Sequence, residues 1–173
     1  MNFLKNQHKN DIILCLLIPT VGLISALFIY PFVHEFGHVI TSFCVGGEVL
    51  DFTLFPSPSV LCDVGAIGNS EKIIISFGGM LLPLLVAGIV PRRWFWTWYI
   101  RVILKAISLL SFLLSVVSLT LNCNAGDDMV QALEYWLWDK NLLILLLCSI
   151  AGCIVISIVR EKPIKRICKY FNI

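Results

Sequence analysis

Residues 34 to 38 read His-Glu-Phe-Gly-His. On an α-helix, side chains four apart share a face, so His34 and His38 can direct two imidazoles at one metal ion. Glu35 is turned by about 100° from His34 and falls beside such an ion, not on it. A carboxylate there can take a proton from a water molecule whose pKa the metal has lowered. Chance sets two histidines and a glutamate at three such positions in well under ~1% of chains of this length. Ionisable groups inside an apolar helix are costly enough that a function is their default explanation. The spacing therefore predicts one zinc ion held by His34 and His38, with Glu35 as the base.

Catalytic zinc takes three protein ligands and keeps one position open for water. The third must come from elsewhere in the chain. The remaining histidine, His8, precedes the first apolar run and falls on the opposite side of a membrane from the motif. The segment Asn122-Cys-Asn-Ala-Gly-Asp-Asp offers Asp127 and Asp128 at the end of the third apolar run. With alternating spans, that end returns to the side where the motif lies. Asp128 is the preferred third ligand; Asp127 is the alternative, because it also suits the cap of a helix starting near residue 129. Asn122 and Asn124 are candidates to stabilise an oxyanion.

The elements that must position these groups are membrane helices. Of the 173 residues, 58% are apolar and 14% charged, far outside the range of a water-soluble domain. Runs 12 to 30, 71 to 90, 100 to 121 and 142 to 159 are each long enough to cross a bilayer, and the first continues into a motif helix over 32 to 45. The expected fold is an all-α, polytopic bundle of about four spans forming a single domain. Gly46 and Gly47 end the motif helix, and the alternating Glu48 to Leu54 stretch followed by Pro56-Ser-Pro58 predicts a small β-hairpin. Its unpaired edge could receive an extended peptide or be an ordinary surface. Gly78, Gly79 and Pro83 mark the second span as a helix with a close neighbour and a bend. Ser108, Ser111, Ser115 and Ser118 share one face of the third, as a packing seam does. The tryptophans at 94, 96, 98, 136 and 138 read as interfacial anchors. Seven cysteines without a CxxC pair argue against a zinc ribbon or a thioredoxin-like site, and a Cys62–Cys123 disulfide is conceivable but unsupported.

The motif also carries a resemblance. His34-Glu35-Phe36-Gly37-His38, the Gly46-Gly47 pair with its strand-like continuation, and Gly126-Asp127-Asp128 together resemble the site-2-protease-like, M50-type intramembrane metallopeptidases, as a small member without appended domains. The resemblance implies an HExxH in a membrane helix, an aspartate from a later span completing the zinc site, and a transmembrane or membrane-proximal peptide as substrate. In that family a glycine usually follows the ligating aspartate, whereas Met129 follows Asp128, so both aspartates stay open. The familiar relatives also face the cytosol.

The function expected is a zinc endopeptidase of the cell membrane, acting on membrane peptides and not on nucleic acid. The rival from another class is an adaptor that keeps the metallopeptidase fold without its chemistry. A metal transporter ranks lower, since spans two to four show almost no ionisable groups along a path. Basic residues orient the bundle, because cytoplasmic segments carry the Lys/Arg excess. Of the 13, only Lys72 and Lys140 lie in the two connections that hold the motif's neighbours and the acidic residues, whereas Arg92, Arg93, Arg101 and Lys105 surround the turn between spans two and three. Both termini are therefore expected in the cytoplasm. Single cysteines at positions 5 and 165, in a background without native cysteines, should be shielded from an external thiol reagent, and those at 57 and 127 labelled by it. The reverse pattern would invert the orientation.

Overall fold

The computed structural model describes residues 16–54, 58–63, 65, 67–123 and 126–171. Four helices in it are long and apolar enough to span a membrane. The first, α1, runs from Leu16 to Val45. Between Ser25 and Ile29 it widens into a π turn. The widening comes just before Pro31, which has no N–H to give the Leu27 carbonyl and would crowd it in a regular helix. The chain thus passes through Pro31 without a break, and the first run and the motif helix are one element.

Gly46, at φ 82°, ends α1 in the left-handed region, and Gly47 N–H returns to the Ser42 carbonyl at 2.9 Å. Strands β1 (Glu48–Thr53) and β2 (Ser59–Asp63) follow as the expected hairpin, antiparallel with an irregularity between Val49 and Asp51. Most of the Pro56-Ser-Pro58 turn lies outside the described residues. Helices α2 (Asn69–Ile89) and α3 (Phe95–Leu121) come next. The short α4 (Asp128–Tyr135) leads to α5 (Lys140–Arg160), and α6 (Pro163–Phe171) turns off its end.

Helix α1 packs along α2, α2 along α3, and α3 along α5, with α4 wedged against α2 and α3. Met80, Phe112, Leu119, Met129, Leu143 and Leu147 form the centre, where α2 to α5 meet. Apolar side chains such as Leu27, Phe28, Leu85, Leu114, Leu145 and Ile156 point outward from the spans. Hydrocarbon is their natural solvent, and this is a membrane protein. Since lipid is as apolar as leucine, helix association relies on close packing. The closest packing is between α1 and α2. A Cβ on Gly37 would meet the Gly78 carbonyl, and one on Gly78 would meet Thr41 Oγ1. The serine face of α3 is a packing seam: Ser108, Ser115 and Ser118 are buried in the bundle.

Three expectations change. The third span starts at Phe95, not at 100, so the aromatic stretch is its first turn. Within that turn Trp98 is fully buried and no interfacial anchor, while Trp94 and Trp138 remain exposed. Arg101 and Lys105, taken from the sequence as flanking charges, are buried inside the bundle, where both pair with Glu161. The spans do contain ionisable groups. Cys62 and Cys123 are free thiols.

The glycine contact yields a direct test. Gly37→Ala forces two backbones apart and should lower the thermal midpoint in detergent, with overpacking costing about 1–3 kcal/mol. Gly152→Ala, where a Cβ meets nothing, should leave the midpoint unchanged or raise it slightly through better helix propensity. Equal midpoints for the two variants would show that α1 and α2 are not in backbone contact.

Candidate metal centre

His34 and His38 lie one turn apart on α1, facing α2. Gly79 makes room for them, since a Cβ there would strike the His38 ring and crowd His34 Cε1 at 3.0 Å. The Nδ1 of His38 is 2.9 Å from the Ile75 carbonyl on α2. A carbonyl only accepts, so Nδ1 carries a proton, and it is Nε2 that can give up its proton to bind a metal. His34 Nδ1 is buried with no hydrogen-bond partner among the described residues. Its Nε2 points to the same place as that of His38.

Asp128 arrives from the first residue of α4. Its Oδ2 lies 3.0 Å from His34 Nε2 and 3.3 Å from His38 Nε2, and the two nitrogens are 3.4 Å apart. Bonds of ~2.0–2.2 Å to a tetrahedral zinc would set ligand atoms roughly 3.3 Å from one another. The triangle observed has those edges. The donor chemistry, two imidazoles and a carboxylate, also suits that metal. Burial opposes the charge on Asp128, but hydrogen bonds and charge from His34 and His38 outweigh it and hold the carboxyl well below the usual carboxylate range. It is an anion at neutral pH. Among the described residues, His34, His38 and Asp128 are the group that could hold an ion.

Asp127 does something else. Its Oδ1 accepts from the Met129 and Val130 amides at 2.9 and 3.4 Å, capping α4, and its Oδ2 accepts from Ser115 Oγ at 2.9 Å. Of the two aspartates left open by the sequence, the structure brings Asp128 to the histidines. Asn122 takes the left-handed position after α3, at φ 52°, and its exposed side chain accepts from Lys140 Nζ. It takes no part in the histidine cluster. Asn124 lies outside the described residues.

Glu35 and His38 open with Asp128 onto a cleft of 270 Å³ between α1, β2, α2 and α4. The outer wall is β2, at Val60, Leu61 and Cys62. At the rim, Lys72 Nζ sits 4.7 Å from the centre of the Tyr135 ring. Sequence reading did not foresee the Ile75 carbonyl, which belongs to the backbone and has no residue-type signal. Gly79 did have one, in the tandem Gly78-Gly79, but was read only as a packing mark. The cleft can therefore hold a metal beside a carboxylate base, with the edge of β2 that faces away from β1 alongside.

No curated protein and no solved structure matches the chain. The model of one family, described as Peptidase M50B-like, matches residues 12–125. That is more than half of the chain and includes the histidine motif, although it stops short of Asp128. On this match the chain belongs to the Peptidase M50B-like family of membrane metallopeptidases.

Proposed function

We propose that this protein is a zinc-dependent endopeptidase that cuts membrane-embedded or membrane-proximal peptide segments. One observation carries the reading: imidazole nitrogens of His34 and His38 and an Asp128 oxygen lie within 4.8 Å of one another, and His38 and Asp128 line a single cleft together with Glu35. Zinc bound there supplies a Lewis acid that polarises the scissile carbonyl and makes water more acidic. Glu35 takes a proton from water as the water oxygen bonds to the carbonyl carbon. It then gives that proton to the amide nitrogen, the C–N bond breaks, and a carboxylic acid and an amine leave. The Ile75 carbonyl keeps His38 in the tautomer that the site needs. β2 pairs with β1 along one edge. Its residues at the cleft offer the other edge to an extended substrate, which would be held by its backbone with its side chains loosely read.

The orientation belongs to the same reading. With Arg101 and Lys105 withdrawn into the bundle, Arg92, Arg93 and the basic residues from Arg160 onward still lie at the end opposite the metal cluster. The charge bias thus favours cytoplasmic termini and a site turned to the other side.

Two measurements test the proposal. His34→Ala or His38→Ala should abolish stoichiometric zinc in the purified protein and Asp128→Ala should weaken it strongly, whereas Asp127→Ala should largely keep it. Equal zinc in all four variants would remove the metal assignment. Glu35→Gln should keep zinc and fold while cleavage of a membrane peptide in liposomes falls by about 10²- to 10⁴-fold. Similar rates for wild type and Glu35→Gln would exclude Glu35 as the base. Zinc-loaded wild type that cleaves nothing in a broad panel of membrane peptides would favour an adaptor.

A further inference from the structure

The end of the bundle opposite the metal cluster holds a second polar site. Glu161, at the end of α5, is nearly inaccessible, and a single oxygen, Oε1, receives Arg101 Nε at 2.8 Å, Lys105 Nζ at 2.8 Å and Arg92 Nε at 3.3 Å. Lys105 also donates to Ser157 Oγ at 2.9 Å, and Arg101 Nη1 to the Gly88 and Val90 carbonyls at 2.8 and 3.0 Å. The cations are thus well placed, but one carboxylate faces three of them. Charge is left over.

Above this cluster a groove of 680 Å³ opens between the start of α3 and helix α6. Its basic lining is Arg93, Lys162, Lys165, Arg166 and Lys169, and the one acid on it is Glu161, already taken. The groove has a built shape. Phe95 and Tyr170 stack at 3.8 Å between ring centres, and Arg166 lies 4.8 Å over the Trp98 ring while donating to the Arg92 and Arg93 carbonyls. α6 is therefore docked on α3, with Lys162, Lys165 and Lys169 lining the groove between them. Lys165 and Lys169, four apart, share one face of α6, and Ile164 is 77% exposed beside them.

We infer that this groove binds the phosphate of an anionic phospholipid. A surplus of cations around one groove calls for an anion, and basic pockets at the ends of membrane helices are where acidic headgroups are held. The site sits where α5 ends, spans end at the level of the headgroups, and an amphipathic helix with Ile164 exposed is suited to lie on acyl chains. The reading is independent of the metal centre and of the peptidase proposal.

The test uses the full chain in mixed micelles with equal amounts of dioleoyl phosphatidylglycerol and dioleoyl phosphatidylcholine, with bound lipid counted by native mass spectrometry. Wild type should retain phosphatidylglycerol selectively. Lys165→Gln/Lys169→Gln, which changes two exposed side chains and should fold normally, should retain about tenfold less or lower still. Lys140→Gln, at the other end of the bundle, should behave as wild type. Equal retention of the two lipids, or no loss in the double variant, would overturn the inference. Inorganic phosphate added alone should leave no adduct; a phosphate adduct without lipid selectivity would assign the groove to a free anion and overturn the lipid.

Discussion

The backbone contact between Gly37 on α1 and Gly78 on α2 is the constraint on which the candidate metal centre rests. In a bilayer no water drives the helices together, so their separation is set by the size of the residues between them. With hydrogen atoms in place of side chains, the two backbones touch. Only at that separation can His38 Nδ1 reach the Ile75 carbonyl at 2.9 Å and Gly79 lie under both imidazoles. A motif written in α1 is therefore oriented by the backbone of α2. The π turn at Ser25–Ile29 contributes from the other side, because it lets α1 pass Pro31 and remain one continuous helix into the motif.

The two ends of the bundle handle buried polarity differently. At one end, two imidazole nitrogens and a carboxylate oxygen converge, and Glu35 opens onto the adjoining cleft. At the other end, Arg101 and Lys105 sit one turn apart on α3, and Glu161 closes on both from the end of α5. Buried ion pairs are weak sources of net stability, because desolvation offsets attraction, but breaking one by removing a partner is costly. Their value here is register. Guanidinium and ammonium reach one carboxylate oxygen only if α3 and α5 keep a fixed axial offset, and the same offset holds α4 where Asp128 meets the histidines.

Helix α4 shows how neighbouring residues of one type divide their work. Asp127 turns back to the amides of its own helix and to Ser115, while Asp128 projects to α1. Successive positions on a helix differ by about 100°, so adjacent carboxylates cannot both face one point. Ser115 belongs to the serine face of α3. What looked like a plain packing seam thereby also holds the cap that aims Asp128.

Much of this was legible in the residues themselves. Hydropathy located four spans, because a bilayer demands length and apolarity from every helix independently of its neighbours. The i, i+4 spacing of His34 and His38 announced a candidate metal site, since one helix supplies both side chains. Even the meeting of the motif with the Asp127–Asp128 pair followed from counting spans, as alternation alone returns the third span to the side of the first. What the sequence could not settle depended on contacts between elements. Which aspartate turns to the histidines was decided by the cap on α4 and its partner on α3. The Ile75 carbonyl carries no side-chain identity to read. Arg101 and Lys105 looked like flanking charges near an aromatic turn, and only the packing of α3 against α5 showed that Glu161 draws them inside, because a charge is buried where a partner 60 or 56 residues away allows it.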